Sequence, residues 1–231
     1  MNNFEFEEKL YLEGCKYIAG CDEVGRGCIA GPVYACCVIM KPTSKIEGVN
    51  DSKKLTDKKR RELLPKILQD AVCYKVIAID NDEIDKINIL EASRKAMELA
   101  LDGLEVKPDY VLTDAMKLHT AIPYQDIIKG DLRSYTIGCA SIIAKVFRDD
   151  YMIALSKEFP GYDWDKNKGY PTKRHKQSLY ELGVTKYHRK SYDPVRICLE
   201  KSNLWYIYKS KIKESILWFF FFLVYNLNFV W

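Results

Sequence analysis

The feature that most restricts the fold is a pair of apolar stretches near the start of the chain, joined by a turn that opens with two acids. Lys16-Tyr17-Ile18-Ala19-Gly20-Cys21-Asp22 reads as a strand that runs into Glu23-Val24-Gly25-Arg26-Gly27, and Val33 to Met40 reads as a second strand. Strands this close in sequence pair as an antiparallel hairpin. A polar stretch holding Asn50-Asp51-Ser52-Lys53-Lys54 then leads to Thr56, the expected N-cap of a helix with Leu63, Leu64, Ile67 and Leu68 at helical spacing and a kink at Pro65. Cys73 to Ile79 reads as a third strand, and Asp82 to Leu101 as a long amphipathic helix ending near Gly103.

Tyr110-Val111-Leu112-Thr113 is a short apolar strand that delivers Asp114, and Ile127-Ile128 is a weaker one followed at once by Lys129-Gly130-Asp131. Ile137 to Phe159 is helical, with Ala140, Ile143, Ala144, Phe147 and Met152 near one face, and Pro160-Gly161 stops it. The loop from Lys166 to Pro171 carries Tyr170 and precedes a helix capped by Thr172 and closed by Gly183. Strands first, then alternating helices and strands, predict an α/β fold: a mixed sheet flanked by helices, with a C-terminal helical part. Residues 1–200 are read as one domain and 201–231 as a hydrophobic tail.

Asp22-Glu23, Asp114 and Asp131 share a setting at the ends of apolar strands, where an acid stands at the rim of a sheet rather than in its core. Converging strand ends would bring the carboxylates within a few ångströms of each other, and like charges so placed repel unless a cation neutralises them. Hard oxygen ligands select Mg2+ or Mn2+ over zinc. Two such ions about 4 Å apart suit phosphodiester hydrolysis. The competing reading is that each acid is a turn former or helix cap, and from the residues alone both stand. Gly25-Arg26-Gly27 adds glycines that admit close backbone approach and a planar donor suited to phosphate. Lys53-Lys54 and the cluster Lys166, Lys168, Lys173, Arg174 and Lys176 are either solvated faces or, with Tyr170 among them, part of a groove for nucleic acid.

Composition limits these choices. The net charge of +4 comes from 36 basic against 32 acidic residues, so any polyanion must be held by local clusters rather than by a general bias. The 8 cysteines form no C-x-x-C pair and no zinc knuckle, and several sit in apolar runs such as Val33 to Ile39. With no apolar signal segment in the first ten residues, the expected setting is cytoplasmic with reduced thiols. Ile216 to Val224 is wholly apolar, but the tail is shorter than the about 20 residues that span a bilayer and is broken by Asn226 and Asn228. A membrane anchor is less favoured than the two other readings taken together, a tail folded on the domain and a non-native extension.

Several motifs in order carry a resemblance. Ala19 to Gly27 with Ala30-Gly31-Pro32-Val33, Asn50 to Leu55, Asp114, Lys129-Gly130-Asp131, Ala140 to Val146 with Arg148-Asp149, Lys168 to Thr172, His175, and His188 to Tyr192 together resemble the type 2 ribonuclease H, or ribonuclease HII, family over roughly residues 14–198. The resemblance implies a ribonuclease H-like fold and a metal-dependent endonuclease for RNA paired with DNA and for single ribonucleotides in duplex DNA. It assigns Asp22, Glu23, Asp114 and Asp131 as metal-binding and catalytic, with Asp149 a second candidate for the fourth place. It assigns Gly25, Arg26, Gly27 and Tyr170 to the ribose 2′-hydroxyl, with Lys53 and Lys54 near the backbone. No obligate protein partner and a monomer are expected. The rival readings are a DNA junction nuclease of the same fold and a hybrid-binding module without catalysis.

Overall fold

The expected hairpin forms the middle of the sheet. β1 (Ile18–Val24) and β2 (Val33–Met40) pair antiparallel, with Asp22 facing Cys36 and Cys21 facing Cys37. The computed structural model describes residues 3–50 and 52–202. Asp51 and the predicted tail from 203 onward therefore lie outside the described residues. β3 (Ala71–Ile79) joins β2 antiparallel, while β4 (Tyr110–Asp114) and β5 (Tyr124–Ile127) add in parallel on the other side of β1. The order is β3-β2-β1-β4-β5, a mixed sheet as expected.

Helices cover both faces. α3 (Asn81–Asp102) lays Ala92, Ala96, Met97 and Ala100 against Ala19, Cys21, Ala35, Cys37 and Ile39. On the opposite face, α2 (Asp57–Asp70) and α5 (Tyr135–Glu158) pack Leu63, Ile67, Cys139, Ala140 and Ile143 against Cys36, Val38 and Met40. Both central strands are therefore buried on two sides, which is why they read as unbroken apolar runs rather than alternating ones.

The contact that sets the depth of α5 is at Gly20. A Cβ built there would fall inside the main chain of Thr136 and Ile137, so helix and strand touch backbone to backbone. The N-terminus of α5 is held by Ser134, whose Oγ accepts from the Ile137 N–H at 3.2 Å, and by a residue far away in sequence. Glu7, on α1 (Glu5–Leu12), is buried and accepts from the Thr136 N–H at 2.9 Å and from the Ser134 hydroxyl at 2.5 Å. A carboxylate at a helix N-terminus satisfies free N–H groups and meets the positive end of the helix dipole.

Local expectations were modified in identifiable ways. β1 runs on through Glu23 to Val24 because the antiparallel ladder with β2 continues to Tyr34. α2 continues across Pro65, and the non-helical backbone sits in α3 instead, at Asn88, whose Oδ1 accepts from the Leu90 and Glu91 N–H groups and caps the second half of that helix. The last strand is Tyr124–Ile127, not Ile127-Ile128, and Ile128 stands exposed beyond it. Against the expectation of free thiols, Cys21 and Cys37 are joined as a disulfide, because the β1–β2 register holds their Cα atoms 4.3 Å apart. Among the described residues no helix is long and apolar enough to cross a membrane.

The C-terminal part folds back on the loop that follows β1. α6 (Trp164–Asn167), α7 (Lys173–Leu182) and the helical residues 193–202 gather around Ile29 and Ala30, with Leu179, Val195 and Cys198 on one and Met152, Tyr162 and Trp164 on the other. Gly20→Ala should force β1 and α5 apart and cost about 1–3 kcal/mol, or a melting-temperature loss of about 3–10 °C. A thermal melt unchanged within about 1 °C would contradict the backbone contact.

Candidate active site

β1 and β4 run parallel with Cys21 beside Thr113, so the next residue of each strand, Asp22 and Asp114, emerge side by side. Asp114 closes β4 and its Oδ1 accepts from the Gly130 N–H at 2.7 Å. That bond anchors the one-turn helix α4 (Gly130–Arg133), which brings in Asp131. Asp131 therefore arrives from a helical turn, not from the strand end that its sequence setting predicted. One carboxylate oxygen from each of Asp22, Asp114 and Asp131 lies within 4.8 Å of the other two. Gly130 has no side chain to spare here, because a Cβ would meet Ile137 Cδ1 at 2.7 Å.

Asp22 and Glu23, adjacent on a strand, leave the backbone toward opposite faces. Asp22 points to the α5 face, accepts from the Glu23 N–H at 2.7 Å and is in hydrogen-bond contact with Ser141, whose Oγ also lies 2.8 Å from Ser52 Oγ. Burial, then the charges of Glu23 and Asp114, push its carboxyl well above the usual carboxylate range. Glu23 is also raised by burial, against the pull of Arg26, whose Nη1 lies 3.3 Å from Oε1. The other oxygen, Oε2, is buried without a hydrogen-bond partner. The crowded carboxylates of Asp22, Asp114 and Asp131, with the orphaned oxygen of Glu23 beside them, form an all-oxygen donor set that fits a divalent cation of the magnesium type.

Asp149, the second candidate for the fourth acid, belongs to another group. It lies on α5 between Lys145 at 2.7 Å and Arg60 at 3.6 Å, and Arg60 in turn donates to the Ser52 and Leu55 carbonyls. Its charge is already matched inside the protein. Lys53 and Lys54 are exposed at the start of this segment, and Lys54 borders a cavity of about 600 Å³ with Asn3, Val49 and Leu55.

The Gly-Arg-Gly turn and Tyr170 come together from opposite ends of the chain. Arg26 and Gly27 are exposed, and a Cβ on Gly27 would stand 3.9 Å from the Tyr170 ring. The ring is half-buried, with Lys145 Nζ 5.7 Å from its centre, and its hydroxyl pKa is pushed up to about 12, chiefly by burial. The Ile29 N–H donates to the Gly169 carbonyl at 2.9 Å and so ties the two loops directly. The basic side chains around Tyr170 spread outward: Arg174 pairs with Glu181, Lys168 Nζ donates to the Asp165 carbonyl, and Lys166, Lys173 and Lys176 are exposed.

Two residues quoted only as motif members prove to hold these loops. Arg148 is fully buried and donates to the carbonyls of Ala30, Pro32 and Lys168. It occupies the space a Gly25 side chain would need, and Gly25 has φ +99°, so both sterics and backbone require glycine. Arg189, also fully buried, donates to the carbonyls of Arg26 and Gly31. Charged residues buried on carbonyls are invisible to pattern reading, which places arginine at the surface.

Comparison with known proteins adds a second line of evidence. A family model described as Ribonuclease HII matches residues 19–195. The chain is similar to the Ribonuclease HII of Caldicellulosiruptor bescii, 47% identical over 83% of this chain and 93% of that protein. It is similar to that of Ligilactobacillus salivarius, 46% identical over 87% and 78%. Among solved structures, the ribonuclease H2 of Pyrococcus horikoshii aligns with a TM-score of 0.68 at 26% identity, covering 80% of this chain and 98% of that one. The RNase HII of Archaeoglobus fulgidus, solved in a complex with PCNA, aligns at 0.65 and 25% identity, covering 77% and 94%.

If the acids repel one another, Mg2+ or Mn2+ should raise the melting temperature at neutral pH. Asp22→Asn should raise it without metal and abolish most of the metal-induced gain, whereas Asp149→Asn should lower it and leave that gain intact. Calorimetry with and without cation reads both; equal responses in the two variants would contradict the assignment.

Proposed function

The chain belongs to the ribonuclease HII family, and from that premise we propose that it is an endonuclease that hydrolyses the RNA strand of RNA–DNA hybrids and cuts at ribonucleotides embedded in duplex DNA. The observation that carries this reading is the convergence of Asp22, Asp114 and Asp131 within 4.8 Å, with Asp22 on the strand that runs directly into the Gly-Arg-Gly turn beside Tyr170. Asp22, Glu23, Asp114 and Asp131 are the proposed ligands and catalytic acids. Mg2+ or Mn2+, when bound, would neutralise charge on the phosphodiester and lower the pKa of the attacking water.

The protein's own part is placement. Water attacks phosphorus, the bond to the 3′ oxygen breaks, and the ends are a 5′-phosphate and a 3′-hydroxyl. Asp22 and Asp114 are fixed by the parallel β1–β4 register, and Asp131 by the hydrogen bond from Gly130 to Asp114, so little reorganisation is needed when the charge on phosphorus changes. Gly25, Arg26, Gly27 and the Tyr170 ring would take the ribose 2′-hydroxyl, the group that separates RNA from DNA. Lys53 and Lys54 would lie along the phosphates.

Residues 1–200 would act as this catalytic unit, as a monomer in the cytoplasm with no obligate protein partner, and the segment 201–231 has no assigned role. Ribonucleotide excision is the process such a cut would begin.

One incubation tests the reading: a DNA duplex with a single ribonucleotide, with and without magnesium, should be cut next to that residue only with the cation. Asp114→Asn should lower cleavage by at least about a thousandfold while hybrid binding changes little, because the basic contacts remain. Cutting of all-DNA junctions would favour the junction nuclease instead, and hybrid binding without cleavage in either metal would favour the binding module. Hybrid affinity should also fall steeply with salt.

A further inference from the structure

His175 and His188 are fully buried beneath the Tyr170 loop, their ring centres 5.4 Å apart, with Trp164 and Tyr162 packed around them. Their protonation follows from partners that can act in one sense only. The Thr185 main-chain N–H points at His188 Nδ1 at 3.0 Å, so that nitrogen carries a lone pair and the ring proton is on Nε2. His188 Nε2 lies 3.2 Å from His175 Nε2, and the indole N–H of Trp164, also a pure donor, reaches the same His175 nitrogen at 2.9 Å. His175 therefore keeps its proton on Nδ1, which donates to the Tyr170 carbonyl at 2.9 Å. Both rings are neutral, and burial holds both below the usual histidine range, His188 down to about 3.

This chain of donors ends on the residue proposed to read the ribose. The loop that it grips is strained at Lys168, a non-glycine residue with φ +51°, two positions before Tyr170. Thr172 donates its N–H to the same Tyr170 carbonyl at 2.8 Å, so of these two donors on that carbonyl His175 is the one from outside the turn. We propose that the His175–His188 pair is a positioning element for ribonucleotide recognition, holding the Tyr170 main chain so that the ring stays beside Gly27. The proposal rests on the reading of Tyr170 as a ribose contact.

The test compares single-turnover cleavage of a DNA duplex carrying one ribonucleotide with cleavage of a uniform RNA–DNA hybrid, and maps the cut position. In the hybrid every nucleotide offers a 2′-hydroxyl, so placement of Tyr170 matters less there. His175→Gln reproduces Nε2 but not Nδ1 and should lower the single-ribonucleotide rate relative to the hybrid about fivefold, the worth of one ordinary hydrogen bond, with scattered cuts. His175→Asn places its amide nitrogen near Nδ1 and should keep the ratio and the cut position, although it loses the Trp164 and His188 contacts and melts lower. Equal loss of the ratio in both variants, or no loss in His175→Gln, overturns the proposal.

Tyr170→Ala separates the two layers. If it leaves the ratio unchanged, the ribose reading itself fails and the positioning role with it; if it lowers the ratio and His175→Gln does not, positioning alone fails. Should His175→Gln not fold, His188→Asn, which keeps the acceptor for Thr185 but removes the donor to His175, should lower the ratio, and an unchanged ratio there overturns the proposal equally.

Discussion

Along its length, α5 is the piece of the molecule from which everything chemical is hung, and it can serve that purpose because position 20 of β1 has no side chain. Backbone lies on backbone at Thr136 and Ile137, which fixes the helix in depth and rotation. From that start, Ser141 meets Asp22, Lys145 stands over the Tyr170 ring, Arg148 fills the space beside Gly25, and Met152 packs on the loop at Ala30. Successive turns of one helix thus reach the carboxylates, the Gly-Arg-Gly loop and the C-terminal helices. The buried Glu7 secures the rod at that same N-terminal end.

The site works against the stability of the fold around it. Burial, and for Asp22 the charges of Glu23 and Asp114 as well, raises the Asp22 and Glu23 carboxyls, so the fold disfavours their charged forms. Stability is held elsewhere, in a sheet whose two central strands are covered on both faces. A divalent cation would reverse the sign of the problem, because the same crowding would then offer it a tight set of oxygen atoms.

The region around the Gly-Arg-Gly turn and Tyr170 uses the opposite strategy. There the buried groups are donors: Arg148 and Arg189 keep their charge but spend their N–H groups on main-chain carbonyls, and the histidine pair stays neutral with its ring protons assigned by Thr185, Trp164 and the Tyr170 carbonyl. Loops made of glycines and a single ring have few side chains of their own to stiffen them. Stiffness comes from beneath.

Much of this was legible in the sequence. Apolar runs identified β1, β2 and β4, caps at Thr56 and Thr172 placed two helices, and the family motifs named the acids and the turn. These signals are local, since period, capping and motif all lie within a few residues. What the sequence left open was decided by contacts between distant segments. That Asp131 joins Asp22 and Asp114 while Asp149 is matched by Lys145 and Arg60 depends on the parallel β1–β4 register and on the anchoring of α4 by Asp114. That Cys21 meets Cys37, that α1 caps α5, and that Tyr170 stands by Gly27 likewise depend on strand pairing and helix docking across large sequence separations. The chain by itself specified most of the elements, because their signals are local. Which side chains finally meet was settled only by packing, because a carboxylate's partner is whatever the fold brings within a few ångströms of it.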